Sequence, residues 1–179
     1  LLEWLSSNAA RGYVTYDDDR QLFSLSPEQA AVFARENEPT CIQGLIQGVV
    51  GQFVNQDIAI DVFKTGRGRP WGEHHECCFC GTERFFRPAY ATHLLEEWIP
   101  ALEGVEEKLR NGAKVADIGC GLGTSSILMA ENFPKSTIHA YDFHSPSIEE
   151  ARKRAESQGL KNVEFFVADA ADVSNEGYD

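Results

Sequence analysis

Three glycines and one nearby aspartate are the residues whose spacing most clearly indicates chemistry. Gly119, Gly121 and Gly123 follow an apolar run that contains Asp117, and the polar run Thr-Ser-Ser comes next. Glycines allow a tight turn and a close approach of the backbone to a ligand, and free N–H groups at a helix start can bind an anionic group. The run therefore predicts a buried strand, a turn and a helix that together hold a nucleoside cofactor.

Two further aspartates come at the ends of the next predicted strands. Asp142 and Asp169 should meet Asp117, because the carboxyl ends of parallel strands face the ligand crevice. Thr124 stands where the dinucleotide fingerprint has Gly or Ala, and Asp117 stands where dinucleotide binders usually keep an apolar residue. Three carboxylates suit a ligand with an amino group, a ribose diol and an adenine amine, and they disfavour a pyrophosphate.

Alternating strand and helix signals position these residues. We predict strands at 114–118, 137–142 and 163–168, a helix at 124–133, and a second helix that begins at Ser145 and ends near Gly159. Short connections of this kind predict a parallel sheet with right-handed crossovers. The fold class is therefore α/β, with a Rossmann-like sheet in residues 113–179.

The segment before the sheet is predicted to be mostly helical. Residues 1–36 indicate a helix, a hairpin and a helix that begins at Ser26 with a capping box, an order typical of the end of a winged-helix module. Apolar residues at helical spacing predict one helix over 41–63, with an apolar face wide enough for a dimer or a domain junction.

The middle of the chain carries mixed signals. Residues 64–87 contain many Gly and Pro and indicate a loop, and 88–110 indicate helices broken by Pro100. We therefore divide the chain into a winged-helix remnant with dimerisation or lid helices (1–64), a linker loop with helices over the cofactor pocket (65–112), and half of an α/β domain (113–179).

Composition narrows the class of protein. The 179 residues carry a net charge of −12 and are 42% hydrophobic, which is enough for a core. There is no apolar run long enough for a membrane span and no visible signal peptide, so no membrane partner is expected. Five cysteines, an odd number, favour a reducing compartment, and the predicted location is cytoplasmic.

A zinc site and a nucleic-acid interface are both disfavoured. Cys77 and Cys80 have the spacing of one ligand pair, but no clear second pair exists, so the expected metal is none. Residues 1–64 hold four basic residues against nine acidic ones, and the predicted wing tip is Asp17-Asp18-Asp19. Such a wing should repel phosphate, so no nucleic-acid partner is expected.

The motifs Asp117-Ile-Gly-Cys-Gly-Leu-Gly123, Tyr141-Asp142 and Ala168-Asp169-Ala170 carry a resemblance. The segment resembles the first half of class I S-adenosylmethionine-dependent methyltransferases. The resemblance implies that Asp117 and the glycine backbone hold the methionine part, Asp142 the ribose hydroxyls and Asp169 the adenine amine. The implied cofactor-binding residues are Asp117, Gly119, Cys120, Gly121, Gly123, Asp142, Phe143, His144, Asp169 and Ala170.

A second resemblance extends upstream, through Trp71-Gly-Glu-His-His, Phe85-Phe-Arg-Pro-Ala-Tyr90 and Glu97-Trp-Ile-Pro-Ala-Leu102. These runs are similar to a bacterial family that joins a winged-helix domain to the methyltransferase fold. In that family the N-terminal part is linked to dimerisation and to covering the substrate pocket, which implies a homodimer. The sequence starts at Leu1 rather than Met and stops before a fourth strand, so we expect a fragment that is inactive alone.

The predicted activity is methyl transfer from S-adenosylmethionine to an unidentified small molecule. The activated methyl group needs positioning and desolvation, and a base only if the acceptor must lose a proton. The catalytic group is unassigned, and the side chains that could wall an acceptor pocket are Trp71, Phe85, Phe86, Tyr90 and His93. The alternatives are a DNA-binding regulator with a cofactor-sensing domain and another nucleoside-cofactor enzyme, such as an NAD-dependent one.

Overall fold

The N-terminal part begins with a helix, a short hairpin and a second helix. A computed structural model of the chain describes residues 1–174 and 177–179. Helix α1 spans Leu2–Ala10, strands β1 (Thr15–Asp17) and β2 (Leu22–Ser24) pair antiparallel, and helix α2 spans Pro27–Phe33. The hydroxyl of Ser26 accepts the Gln29 N–H, and the Gln29 side chain accepts the Ser26 N–H, so the predicted capping box is confirmed. That these elements form a winged-helix module stays a prediction.

Two predictions for the middle of the chain were wrong. The single helix predicted over 41–63 is two helices, α3 (Gln43–Val54) and α4 (Gln56–Thr65), separated at Asn55. The loop predicted over 64–87 ends early, because helix α5 spans Glu76–Ala89 after a short 3₁₀ turn at Trp71–Glu73.

Close packing between α3 and α5 explains why the second segment is helical. A Cβ atom at Gly44 would lie 2.4 Å from the backbone nitrogen of Phe85, and one at Gly81 would lie 2.5 Å from the backbone nitrogen of Gly48. The glycines therefore let two helix backbones meet, an interaction that local sequence signals do not show. Packing against another element supplies most of the stability of a helix in a folded protein.

Helix α5 runs directly into a π-helical segment, Tyr90–Trp98, in spite of a proline in its last turn. Pro88 is buried there, and proline removes one backbone donor and disturbs the helical ladder. Helix α6 (Val105–Asn111) follows and ends at Gly112, whose positive φ of 113° suits glycine. The π-helical segment ends at Trp98 and α6 begins at Val105, so the predicted break near Pro100 is confirmed.

The C-terminal part is a three-stranded parallel sheet with the order β3-β4-β5. Strands β3 (Lys114–Ile118), β4 (Thr137–Asp142) and β5 (Val163–Val167) alternate with helices α7 (Thr124–Asn132) and α8 (Ser145–Ser157). The predicted strands and helices are confirmed to within two residues at each end. Their core is a cluster of buried residues from β4, β5, both helices and the glycine turn (residues 119–123): Cys120, Ile127, Ala140, Ile148, Ala151, Ala155 and Phe165.

Two further properties of the helices concern their exposed residues and their hydropathy. The outer side of α3 is apolar and exposed, with Phe53 at 71% exposure, and α4 adds an exposed Phe63 at 91%. Among the helices of residues 1–174, none combines the length and the hydropathy that crossing a membrane requires.

Candidate functional site

A cavity of about 570 Å³ lies between the carboxyl ends of β3 and β4 and the side of α5. The glycine turn forms its floor, and aromatic residues of the middle segment form its opposite wall. The lining residues are Trp71, Phe79, Thr82, Glu83, Phe86, Tyr90, Asp117, Ile118, Gly119, Cys120, Gly121, Leu122, Thr124, Ser125, Asp142, Phe143 and Ser147.

The carboxylate of Asp142 holds the floor in place. Its Oδ2 accepts the Gly121 N–H at 2.9 Å, and its Oδ1 accepts the His144 N–H at 2.8 Å. The backbone oxygen of Tyr141 accepts two more donors from the turn, the N–H groups of Gly119 and Cys120. The end of β4 therefore fixes the turn that follows β3, and it places a carboxylate in the cavity.

A second carboxylate, that of Asp117, is fixed by the first turn of α7. The hydroxyls of Ser125 and Ser126 donate to its Oδ2 at 2.7 and 2.6 Å. Ser126 is fully buried, so its hydroxyl depends on this partner. Within the described residues both contacts are to one oxygen, which leaves acceptor capacity on Oδ1 for a ligand.

The third glycine of the turn has a packing function. Gly123 has a φ of +76°, and a Cβ there would lie 2.7 Å from the Phe165 ring and 2.9 Å from the Ala151 methyl group. Only glycine combines this backbone conformation with so close an approach. Gly123 is absent from the cavity lining, so it allows α7 to start against the core beneath the site.

The wall opposite the turn is aromatic. The Phe79 ring stacks on His144 with 4.6 Å between centroids, and Trp71 meets Phe79 edge-on at 5.2 Å. Burial and the nearby Asp117 charge raise the pKa of Tyr90, so its phenol stays protonated at neutral pH. These rings can exclude water from the floor.

Cys120 contributes a neutral thiol to the same cavity. Burial, followed by the negative charges of Asp117 and Asp142, raises its pKa to about 12. A thiol with such a pKa is almost wholly protonated at neutral pH and is a poor nucleophile. The site therefore holds its two aspartates beside a thiol that carries no charge.

Most of the predicted site residues come together, and six lie outside the cavity. The nine that line it are Asp117, Gly119, Cys120, Gly121, Asp142, Phe143, Trp71, Phe86 and Tyr90. The six that do not are Gly123, His144, Asp169, Ala170, Phe85 and His93.

The residues outside the lining have other contacts. His144 stands behind Phe79, and its Nδ1 lies 2.7 Å from the Ser147 hydroxyl. Asp169 accepts the N–H of Ala171 and caps the short 3₁₀ turn Ala170–Asp172. The Phe85 backbone packs against α3, and the Nδ1 of His93 lies 3.0 Å from a carboxylate oxygen of Glu97.

The sequence predicted Phe86 and Tyr90 of the α5 side but missed Phe79 and Glu83, because residues 64–87 were assigned to a loop. Phe79, Glu83, Phe86 and Tyr90 all line the cavity, and they follow one another at intervals of four, three and four residues. This is the spacing of one helix face. The periodicity was available as a signal but was obscured by neighbouring cysteines, glycines and a proline.

The electrostatics of the lining restrict its ligand. Glu83, Asp117 and Asp142 line the cavity, and no Lys or Arg is among its lining residues. A ligand with phosphate groups would meet the negative charges of Asp117 and Asp142 with no cation in the lining, whereas a sulfonium or ammonium group would be attracted. Within residues 1–174 and 177–179, no three His, Cys, Asp or Glu side chains converge as a metal site.

Comparison with known proteins agrees with this geometry. Residues 109–179 match the family described as "Methyltransferase domain". Aklanonic acid methyltransferase DauC of Streptomyces sp. (strain C5) is 42% identical over 60 residues, which are 33% of this chain and 27% of the relative. The chain covers between 12% and 27% of the length of three curated relatives, DauC among them.

Solved structures extend the likeness to nearly the whole chain. The mitomycin 7-O-methyltransferase MmcR matches with a TM-score of 0.69 and 19% identity, over 98% of this chain and 53% of MmcR. An O-methyltransferase family protein from Burkholderia thailandensis matches with a TM-score of 0.64 and 16% identity, over 92% of this chain and 48% of that protein. At these identities the likeness concerns the fold alone, which is Rossmann-like.

The family match and the carboxylate-lined cavity together support S-adenosylmethionine as the cofactor.

Proposed function

We propose that this protein transfers the methyl group of S-adenosylmethionine to a small-molecule acceptor. The observation that carries the proposal is the cavity floor, where a glycine turn is fixed by Asp142 and faced by Asp117. The match of residues 109–179 to a methyltransferase domain supports it. The mitomycin O-methyltransferase that shares the fold is consistent with a small-molecule acceptor, whose identity stays open.

Each part of the cofactor has a suitable partner in the cavity. We assign the ribose hydroxyls to Asp142, because its oxygens keep lone pairs after accepting two backbone N–H groups. Asp117 and the turn backbone suit the methionine part, and the exposed ring of Phe143 suits the adenine. Asp169 lies beyond the lining, so its assignment to the adenine amine stays a proposal.

The chemistry requires little beyond positioning. When bound, the cofactor would supply a methyl group activated by its sulfonium, and S-adenosylhomocysteine would leave as the methyl–sulfur bond breaks. Holding the two reactants together and excluding water lowers the barrier, and the aromatic wall of Phe79, Phe86 and Trp71 suits both tasks. The acidic floor attracts the positive charge of the donor and so favours its binding.

Calorimetry with S-adenosylhomocysteine, the demethylated product of the cofactor, tests the proposal. We expect one molecule to bind per chain of the intact protein, and NAD at the same concentration to compete weakly, because its pyrophosphate meets the carboxylates. Absence of binding, or equal competition by NAD, would contradict the assignment.

We further propose that the protein is a homodimer through its N-terminal part, which we assign to a winged-helix module. Helix α3 contains no charged residue, and its outer side exposes Leu45, Ile46, Val49, Val50, Phe53 and Val54. A contiguous apolar face of this kind marks an interaction surface. A second copy fits it because α3 carries no charge, so pairing two copies of this helix brings no like charges of α3 together at the contact.

Replacing Phe53 by glutamate should separate the two copies. A charge in the centre of an apolar interface loses its hydration without gaining a partner. Light scattering after size exclusion should report a dimer for the parent protein and a monomer for Phe53→Glu. Leu22→Glu, at an exposed apolar residue of β2, is the control and should stay dimeric. A monomeric parent protein would contradict the proposal.

A further inference from the structure

Glu83 is a mostly buried carboxylate at the junction between the two halves of the site. It lies on α5, its side chain is 12% exposed, and it lines the cavity. The Thr124 hydroxyl donates to its Oε1 at 3.0 Å, and the Arg154 guanidinium lies 3.4 Å from the same oxygen. Thr124 is the first residue of α7, and Arg154 belongs to α8.

The ion pairs continue from Glu83 into the N-terminal part. Arg87, one turn further along α5, lies 3.8 Å from Glu83 and 3.5 Å from Glu36. Glu36 also pairs with Arg84, whose guanidinium reaches the Gln43 and Gln47 side chains of α3. A chain of charged contacts therefore connects α8 and the glycine turn with the region around α2 and α3.

The position of Glu83 suits a structural link to the cofactor site. A carboxylate with so little exposure needs partners, and besides Arg87 of its own helix they come from two helices on the far side of the cavity. Its negative charge lies beside the N-terminal end of α7, where the helix dipole favours an anion. The other α5 residues of the wall, Phe79 and Phe86, lie one turn to each side of it.

We propose that Glu83 is a positioning residue that holds the aromatic wall of α5 against the cofactor floor. The inference rests on the proposed function, because the ligand whose pocket is held in shape is the methyl donor. Arg154 is absent from the cavity lining and also pairs with Glu150 of its own helix at 3.3 Å, so its contact with the site is the one through Glu83.

A double-mutant cycle on the intact protein tests this. The variants are Glu83→Gln, Arg154→Met and the double variant, and the readout is the dissociation constant for S-adenosylhomocysteine at a temperature well below unfolding. Glu83→Gln keeps an oxygen that can accept the Thr124 hydroxyl, but it loses the negative charge that pairs with Arg87 and Arg154. The control is Glu96→Gln, which removes the same charge from an exposed position on the following segment.

We expect each single variant to weaken binding about tenfold, which corresponds to about 1.4 kcal/mol, and the double variant to be no weaker than Glu83→Gln. Glu96→Gln should bind like the parent protein. Unchanged affinity in both single variants with lowered melting temperatures would show a merely stabilising ion pair and overturn the inference. If the loss of affinity in the double variant equalled the sum of the two single losses, Glu83 and Arg154 would act independently, and this too would overturn the inference. If the parent protein bound no S-adenosylhomocysteine, the proposed function would fail with it.

Discussion

Replacing Asp142 by alanine is expected to weaken the binding of S-adenosylhomocysteine by at least about 100-fold. The change removes the acceptor of the Gly121 and His144 N–H groups together with the proposed partner of the ribose hydroxyls. Hydrogen bonds to a charged group contribute about 1.5–3 kcal/mol each, so losing the two proposed bonds from the ribose hydroxyls accounts for this factor. Calorimetry on the purified variant measures it.

Two controls separate binding from simple loss of charge. Asp57→Ala removes the same charge from an exposed position on α4 and should leave the affinity unchanged. Asp142→Asn retains one oxygen acceptor and should fall between the parent protein and Asp142→Ala. An Asp142→Ala affinity within threefold of the parent would show that the ribose is held elsewhere.

Replacing Gly81 by alanine should destabilise the protein most among conservative changes in α5. The added methyl group would lie 2.5 Å from the Gly48 nitrogen and 2.7 Å from the Gly44 oxygen, both of them backbone atoms that cannot move away independently. Overpacking of this kind costs about 1–3 kcal/mol. The expected result is a lower free energy of unfolding in urea, with the aromatic wall displaced and cofactor affinity reduced as a consequence.

Gly48→Ala is the matched control on the facing helix. A Cβ at Gly48 meets no atom within 4 Å, so the methyl group fits without a shift. Alanine is a better helix former than glycine by about 0.5–1 kcal/mol, and the variant should therefore be slightly more stable than the parent protein. If Gly81→Ala and Gly48→Ala changed stability equally, the close contact between α3 and α5 would not be what holds these helices together.

The sequence alone was enough to predict the parallel sheet and the residues that form the floor of the site. Strands β3, β4 and β5 are short segments rich in β-branched and aromatic residues, and the turn after β3 requires the positive φ of Gly119, Gly121 and Gly123. Asp117 and Asp142 could be placed at the cavity because parallel strands bring their carboxyl ends to one edge. These features depend on backbone geometry within a few residues, which local sequence patterns record.

Trp71, Phe86 and Tyr90 could be predicted as pocket residues from the sequence, but only the tertiary structure decided that α5 forms the opposite wall and how it connects to the floor. Local signals in 64–87 indicated a loop, and α5 forms because Gly81 allows it to pack on α3, more than 30 residues earlier in the chain. The contact of Glu83 with Thr124 spans 41 positions and that with Arg154 spans 71. Contacts between distant segments depend on how elements pack in three dimensions, and a periodicity read within one segment holds no information about its partner.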